Sequence, residues 1–178
     1  MPDLERAKGI FGWMPESELR WLRQQASTHK NIVEIGSFMG RSTVALAENT
    51  RGTVTAVDTW AGSDEPEHKK MLEGKSEDWL FQEFLKNTAG LPNILAVRMK
   101  SLDAASYMRH QKFDMVFIDA SHDYENVKAD ILAWRELLIP GGLLCGHDFH
   151  SGAPGVIKAV LELVPGARGS ESIWYKVV

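Results

Sequence analysis

The strongest constraint on the fold of this chain is a repeated alternation between short apolar runs and helical segments. Residues 31–35 form a largely apolar, β-branched run ended by Gly36, which is typical of a buried parallel strand. Such alternation predicts an α/β fold with a doubly wound, mostly parallel sheet. The other predicted strands are 53–57, 93–97, 114–118, 143–146 and 172–178, and the predicted helices are 15–28, 41–49, 76–88, 102–109, 123–138 and 155–164.

Composition narrows the class of protein further. The 178 residues, 44% of them hydrophobic and 25% charged, predict one globular domain over residues 1–178. Twenty Lys and Arg against 24 Asp and Glu give a formal net charge of −4, which argues against a nucleic-acid partner held by a basic face. The single cysteine, Cys145, excludes an intramolecular disulfide and a Cys-cluster zinc site. The N-terminus lacks a signal-peptide pattern and no apolar run is long enough to span a membrane, so we expect a cytoplasmic protein with no membrane partner.

Three segments stand apart from the alternation. Residues 1–30 precede the first clear strand and form a predicted N-terminal helical or lid segment. Residues 59–76 are polar and charged, and residues 146–155 are rich in Gly and His. The latter two follow strand ends, where open α/β sheets bind ligands, so 59–76 is interpreted as a lid insert. A solvated surface loop is the alternative for each.

The first strand is joined to its helix by a glycine-containing turn, Glu34 to Thr43. Gly36 permits a sharp turn, while Gly40 and Ser42 lie where the helix begins and free N–H groups are available. Phe38 stands where a dinucleotide fingerprint has its second glycine. The motif therefore favours a carboxylate or an adenosine over a pyrophosphate, with a plain tight turn as the alternative.

An acid ends the second strand. Asp58 lies 24 residues after Glu34, where a carboxylate in a βαβ unit accepts hydrogen bonds from both ribose hydroxyls. This role fits NAD and S-adenosylmethionine equally. The alternative is a helix cap or a solvated loop residue.

Acids and histidines follow the fourth and fifth predicted strands. Asp119 ends the fourth strand, and His147 and Asp148 follow the fifth, so the three side chains are expected to meet as a site for a divalent metal. The alternative is that Asp119 caps the next helix and His147 bonds a loop. His122 lies just beyond Asp119, but the neighbours Ser121, His122 and Asp123 cannot align as a hydrolytic triad.

Four further residues have two interpretations each. Trp13, Trp60 and Trp79 either line the cleft or pack in the core. Ser101 follows the third strand and either bonds an adenine edge or caps the next helix.

These motifs together resemble the class I S-adenosylmethionine-dependent methyltransferases. The resemblance covers residues 10–178 and is closest to a small group associated with sugar and glycan modification, the methyltransferase family 24-like proteins. It extends to the cephalosporin hydroxylase-like and the catechol and caffeoyl-CoA O-methyltransferases. It implies a Rossmann-like sheet of seven strands with an antiparallel last strand. The motifs that carry it are Glu34–Thr43, Asp58-Thr59-Trp60, Ile118–Tyr124 and Pro140-Gly141-Gly142.

The resemblance also implies roles for particular residues. The methionine pocket would be shaped by Glu34, Gly36 and Gly40, with Ser37 and Ser42 nearby. Asp58 would hold the ribose, Thr59 or Trp60 would flank the adenine, and Ser101 would approach its edge. Asp119, followed by Ala120, would lie near the sulfonium and the acceptor.

In metal-dependent relatives, the acid after the fourth strand and two adjacent residues after the fifth bind magnesium. Those positions are Asp119, His147 and Asp148 here. The relatives have an acid where this chain has His147, and this difference favours another metal or none.

The expected activity is S-adenosylmethionine-dependent O-methylation of a small hydroxylated molecule such as a sugar. Either a metal held by Asp119 and Asp148 activates the hydroxyl, or His122 or His147 takes its proton. One alternative is an NAD(P)-dependent oxidoreductase, although the phosphate-binding glycine pattern and a Tyr-x-x-x-Lys pair are missing. The other is a non-catalytic S-adenosylmethionine-binding module. A chain of this size is also expected to complete its cleft as a homo-oligomer.

Overall fold

The computed structural model describes residues 4–63 and 66–178, and within them the chain forms eight helices and seven strands. Residues 1–3 of the predicted N-terminal segment and 64–65 of the predicted insert lie outside the described residues. The elements are α1 Glu5–Gly9, α2 Glu16–Ala26, β1 Asn31–Ile35, α3 Arg41–Ala47, β2 Thr53–Asp58, α4 Pro66–Leu72, α5 Trp79–Thr88, β3 Ile94–Arg98, α6 Ser101–Tyr107, β4 Phe113–Ile118, α7 Tyr124–Arg135, β5 Leu138–Gly146, α8 Pro154–Leu163, β6 Arg168–Ser170 and β7 Ile173–Val177.

The seven strands form one sheet in the order β3-β2-β1-β4-β5-β7-β6. The first five strands pair in parallel, and β7 pairs antiparallel with both β5 and β6. This confirms the predicted seven-stranded, mostly parallel sheet with an antiparallel last strand. The strand order reverses at β1, which lies between β2 and β4, and open α/β sheets bind ligands at the carboxyl ends of strands beside such a reversal.

Two cores cover the two faces of this sheet. One contains side chains from α1, α2, α3 and α5, and the other contains side chains from α6, α7 and α8. Because both faces are covered, the central strands are apolar along their length rather than alternating. Ile32, Val33, Glu34 and Ile35 of β1 are all buried, so the carboxyl group of Glu34 lies in the interior.

Three elements were not predicted from the sequence, and each lacks the usual signal. The strand β6 has only three residues and no large apolar side chain. The helix α4 has no buried residue, and α1 is a five-residue helix. The strand β5 begins at Leu138 rather than at 143, because Leu138 already pairs with Phe113 of β4. The register then shifts between Phe113 and Met115, and the Pro140-Gly141-Gly142 turn signal lies in this irregular part of the strand.

The N-terminal segment is docked on the first core. Leu4, Ala7, Ile10 and Met14 are buried there, and α2 packs against α3. No helix in the described ranges is both long and apolar enough to cross a membrane.

Candidate active site

The turn after β1 passes directly over the end of β4. Gly36 has a φ of 85°, and a Cβ at this position would lie 2.0 Å from the carbonyl oxygen of Asp119. The N–H of Gly36 donates to Val57 at 2.8 Å, and the N–H of Asp119 donates to Ile35 at 2.8 Å. Only glycine fits here, because both the backbone angle and the close approach exclude a side chain.

The carboxylate of Asp58 organises this turn. Its Oδ2 accepts the N–H groups of Ser37 at 2.9 Å and Phe38 at 2.8 Å, and its Oδ1 accepts the N–H of Trp60 at 2.7 Å. Phe38 and Trp60 both have left-handed backbone angles, which these bonds help to stabilise. A carboxylate has about four lone-pair positions, so one is left for a ligand hydroxyl.

Glu34 lies beneath the same turn. Its Oε2 accepts the hydroxyl protons of Ser37, at 2.7 Å, and of Thr43. Its Oε1 is buried and has no hydrogen-bond partner among the described residues. Burial raises the pKa of Glu34, against the lowering effect of the nearby hydroxyls. A buried oxygen without a hydrogen bond costs about 1–3 kcal/mol of stability. We therefore expect a donor from a ligand or a water molecule at this atom.

Trp60 does not line the cleft, which corrects the prediction that its ring flanks an adenine. The side chain is 1% exposed and packs against Phe81 and Phe84 with ring centroids 4.7 and 4.6 Å apart. Its Nε1 donates to the carbonyl oxygen of Phe38 at 2.7 Å. The ring therefore supports the glycine turn from behind, while Thr59 lines the cleft.

Ser101 lines the cleft too, but its hydroxyl already has partners. It donates to the carboxylate of Asp130 and accepts the Nε1 proton of Trp134 at 2.8 Å. Ser101 is the first residue of α6 and Lys100 is its N-cap, with no side-chain capping bond, so the capping alternative is wrong. Burial raises the pKa of Asp130 to about 6.

Two adjoining cavities lie at this edge of the sheet. The first, about 660 Å³, is lined by Asp58, Thr59, Met99 and Ser101 on the β2 and β3 side. The second, about 370 Å³, extends towards the loop between α1 and α2 and the end of β5. Residues that line both cavities are Gly36, Phe38, Ser63, His68, Asp119, Ala120 and His122, and the second cavity also has Trp13, Ser37, Ser42, His147, Asp148 and His150.

Asp119, His147 and Asp148 meet in the second cavity, as the sequence predicts. Nδ1 of His147 lies 3.6 Å from Oδ1 of Asp119 and 3.2 Å from Oδ1 of Asp148. Burial, with the charges of Asp148 and Glu34, raises the pKa of Asp119 to about 7 against the lowering effect of His147. Asp119 does not cap α7, because Asp123 is the cap and accepts the N–H of Asn126 at 3.0 Å.

Glu18 on α2 holds His147 from the other side. Its Oε2 lies 2.8 Å from Nε2 of His147, and its Oε1 accepts the N–H of Ser172 at 2.9 Å. Burial opposes the charged imidazole, but Asp148, Glu18 and Asp119 together raise the pKa of His147 to about 11. Glu18 was not predicted from the sequence, although an acid four residues before Leu22, on the apolar stripe of α2, is a usable signal.

His122 completes the cluster at the junction of the cavities. Its Nε2 lies 2.9 Å from Oδ2 of Asp148, and Nε2 of His150 lies 3.4 Å from Oδ1 of the same residue. Burial works against the Asp148 carboxylate, but hydrogen bonds from His122 and His147 hold its pKa well below the usual range. Asp148 is therefore negatively charged, and ring nitrogens of His122, His147 and His150 lie 2.9–3.4 Å from its carboxylate oxygens.

The donor set fits a divalent cation. Ligand atoms of Asp119, His147 and Asp148 lie within 4.8 Å of one another. Glu18 can accept the Nε2 proton of His147, which leaves Nδ1 facing the two carboxylates, the arrangement usual for a metal-binding histidine. An imidazole with two carboxylates suits Mn²⁺ or Zn²⁺ better than Mg²⁺, which prefers oxygen alone.

The family model of a methyltransferase domain matches residues 33–149. This range includes the glycine turn and the ends of β2, β4 and β5. The chain belongs to this methyltransferase family. The match covers every predicted cofactor and metal residue, from Glu34 to Asp148.

Solved structures of other methyltransferases share the fold. An O-methyltransferase from Bacillus cereus in complex with SAH is 17% identical, with a TM-score of 0.69 over 100% of this chain and 93% of that one. The calicheamicin methyltransferase CalS11 is 15% identical, with a TM-score of 0.67 over 90% of this chain and 77% of that one. A putative caffeoyl-CoA O-methyltransferase from Staphylococcus aureus is 17% identical, with a TM-score of 0.65 over 98% of this chain and 91% of that one.

Proposed function

We propose that this methyltransferase transfers the methyl group of S-adenosylmethionine to a hydroxyl group of a small acceptor such as a sugar. The observation that carries the proposal is the junction of the two cavities at Gly36, Asp119 and His122. One cavity has the acid and the turn that suit a nucleoside, and the other has a cluster of carboxylates and imidazoles that suits deprotonation of a hydroxyl. The Bacillus cereus structure in complex with SAH supports the choice of cofactor.

The first cavity takes the cofactor in this proposal. The glycine turn at Gly36 receives the methionine part, and the buried Glu34 supports this turn from beneath through Ser37 and Thr43. Asp58 receives a ribose hydroxyl on its remaining lone pair, and Thr59 lies beside it. Met99 and the backbone of Ser101 lie beside the adenine. The Ser101 side chain does not bond it, because its hydroxyl already donates to Asp130.

Methyl transfer needs little chemical activation of the donor. The C–S bond of the sulfonium breaks as the new C–O bond forms, and the sulfur becomes neutral. Asp119, at the junction of the cavities, lies where it can attract the cationic sulfonium. The protein's tasks are to align donor and acceptor in line and to remove the acceptor's proton.

His122 is the proposed general base. It lines both cavities and its Nε2 lies 2.9 Å from the charged Asp148, which orients the ring and stabilises the imidazolium formed by proton transfer. The raised pKa of His147 makes the other candidate unsuitable, because that ring already holds its proton at neutral pH. In this proposal Asp148 is a positioning residue.

A divalent cation is a second means of activating the hydroxyl. Asp119, Asp148 and Nδ1 of His147 would hold it, with the Nδ1 proton released on binding. When bound it would lower the pKa of the acceptor hydroxyl. The residues around it keep their roles, with Glu18 fixing the His147 ring and His122 accepting the proton.

A sugar acceptor is supported by one of the related structures. CalS11 is described as a TDP-rhamnose 3'-O-methyltransferase, and an apo structure of it has a TM-score of 0.60 to this chain at 16% identity. The second cavity, about 370 Å³, suits a single substituted ring.

The test is calorimetric titration with S-adenosylhomocysteine, with NAD as the control ligand. We expect micromolar binding of S-adenosylhomocysteine and none of NAD. Transfer of a radiolabelled methyl group to a panel of sugars and phenols, with and without Mn²⁺, then identifies the acceptor class. Binding of NAD alone, or of neither ligand, would contradict the proposed cofactor.

A further inference from the structure

Two large aromatic side chains are exposed on the loop between α1 and α2. Phe11 is 58% exposed and Trp13 is 54% exposed, although their neighbours Ile10 and Met14 are 6% and 5% exposed. The loop therefore turns two apolar residues into the core and two aromatic residues outwards. Exposed aromatic groups at the mouth of a cavity are a feature of binding sites rather than of an ordinary surface.

Arg41 fixes this loop in place. Its Nε donates to the carbonyl oxygen of Met14 at 2.9 Å, and its Nη1 donates to those of Lys8 at 2.9 Å and Ile10 at 2.6 Å. Gly12 lies so close that an added Cβ would be 2.9 Å from Cδ of Arg41. Because Arg41 is the first residue of α3, the loop is tied to the helix that follows the glycine turn. The exposed rings are therefore preorganised beside the second cavity, which Trp13 and Arg41 both line.

The exposed rings continue into a wall formed by Phe11, Trp13, Phe38 and His68, here called the aromatic wall. The ring centroids of Trp13 and Phe38 are 5.2 Å apart, and those of Phe11 and Trp13 are 5.4 Å apart. His68, from α4, stacks on Phe38 at 5.1 Å with ring planes 5° apart. Three separate segments of the chain thus contribute to one aromatic surface.

Trp13, Phe38 and His68 line the same cavity as Asp119 and His122. We propose that Trp13 is the stacking platform for the acceptor and selects a saccharide ring, an inference that rests on the proposed function. A saccharide ring has one face of C–H groups, which suits an indole, and hydroxyls around its edge, which suit carboxylates and imidazoles.

The polar side of the cavity favours a saccharide over a phenol. Beyond Asp119, His122, His147 and Asp148, the lining includes Glu67, Ser42 and His150. Hydrogen-bonding groups distributed in this way match a ring with several hydroxyls, whereas a phenol offers one or two. A site that hydrogen-bonds several hydroxyls discriminates strongly against ligands that lack them.

The experiment uses the full chain labelled with 5-fluorotryptophan and saturated with S-adenosylhomocysteine. The chain has six tryptophans, and the fluorine signal that disappears in Trp13→Phe identifies Trp13. The probes are methyl α-L-rhamnoside, TDP-rhamnose and catechol. We expect both saccharide probes to shift the Trp13 signal and to leave the signal of Trp134, which is 0% exposed, unchanged.

Variants separate the platform from the cofactor site. Trp13→Ala is expected to weaken binding of TDP-rhamnose by about tenfold, and Trp13→Phe to restore most of the affinity, because a ring remains for stacking. Both variants should bind S-adenosylhomocysteine like the wild type, since Trp13 lines only the second of the two cavities.

The outcomes distinguish this inference from the proposed function. Failure to bind S-adenosylhomocysteine would count against the proposed cofactor, whatever the Trp13 signal does. Normal binding of it, with a Trp13 signal that neither saccharide moves or that only catechol moves, would overturn the saccharide platform. A Trp13 signal that shifts with protein concentration instead would show that a second copy of the chain covers the wall, and would also overturn it.

Discussion

Nε2 of His147 lies 2.8 Å from Oε2 of Glu18, so a residue after the fifth strand is held by a carboxylate of the N-terminal helix α2. The two residues are 129 positions apart in the chain. Glu18 is 2% exposed, and the same side chain bonds the backbone of Ser172. The contact thus joins α2, the end of β5 and the turn before β7 around the candidate active site.

Replacing Glu18 by glutamine tests this contact. Glu18→Gln keeps an oxygen for Ser172 but removes the charge beside His147, so we expect the free energy of unfolding to fall by about 2 kcal/mol. Binding of S-adenosylhomocysteine should change little, because Glu18 lines neither cavity. Urea denaturation and calorimetry measure the two effects. Glu16→Gln, an exposed acid on the same helix paired with Arg20, is the matched control and should leave stability nearly unchanged. Equal stability of the two variants would contradict the prediction.

Gly36 should tolerate no side chain. In Gly36→Ala the new Cβ would lie 2.0 Å from the Asp119 carbonyl oxygen, so we expect a loss of about 3 kcal/mol or more in the free energy of unfolding, and loss of S-adenosylhomocysteine binding. Gly90→Ala is the control, since Gly90 has a similar φ of 81° with nothing within 4 Å of an added Cβ. Its cost should be about 1 kcal/mol, with cofactor binding intact. Thermal unfolding measures the stability of the two variants, and calorimetry measures their affinity for S-adenosylhomocysteine. Equal losses in Gly36→Ala and Gly90→Ala would show that the close approach to Asp119 is unimportant.

Asp58 should be required as a carboxylate. Asp58→Asn replaces one acceptor oxygen by an NH₂ group, so at least one of the three N–H groups from Ser37, Phe38 and Trp60 loses its partner. We expect the affinity for S-adenosylhomocysteine to fall by about tenfold or more, together with about 1–3 kcal/mol of stability. Calorimetry and urea denaturation check both values. Asp78→Asn, which breaks the exposed pair with Arg98, should leave the affinity unchanged. Unaltered affinity in Asp58→Asn would mean that the carboxylate charge does not organise the turn.

The buried Asp130 gives a pH dependence of stability. Its pKa is raised from 3.8 to about 6 by burial, so between these values the folded protein keeps a proton that the unfolded chain releases. The stabilising contribution of the neutral form is therefore complete below pH 3.8 and is lost as pH rises through 6. Asp130→Asn should raise the free energy of unfolding at pH 7.5 by up to about 3 kcal/mol and flatten its decline between pH 4 and 6. Urea denaturation across this range is the measurement. Asp103→Asn, at an exposed position on α6, should leave the free energy of unfolding and its pH profile unaltered. A wild-type pH profile in Asp130→Asn would show that Asp130 does not cause the decline.

His122 should be needed for turnover rather than for cofactor binding. If His122 takes the acceptor's proton, His122→Asn lowers kcat by about 100-fold and changes the affinity for S-adenosylhomocysteine little. Initial rates with the acceptor selected by the methyl-transfer screen, together with calorimetry, separate the two effects. His110→Asn, an exposed histidine outside both cavities, is the control. A normal kcat in His122→Asn would exclude His122 as the base.

The sequence by itself determined the sheet and the edge at which the candidate active site lies. Buried apolar runs alternating with helices allow few arrangements other than a doubly wound sheet, and Asp58 and Asp119 fall at strand ends because those ends follow directly from the pattern. The role of Gly36 could be predicted for a similar reason, since the strand-to-helix turn at its position requires a left-handed backbone. The three-residue strand β6 could not be predicted, because its formation depends on pairing with β7 rather than on its own residues.

Only the tertiary structure decided which side chains enter the site. Trp60 and Trp13 are the same residue type on loops, yet one packs at 1% exposure against Phe84 and the other stands 54% exposed at the second cavity. Glu18 meets His147 because α2 packs beside the end of β5, and that packing joins residues far apart in sequence. Local pattern fixes helices and strands, whereas burial and long-range pairing depend on how these elements pack together in space.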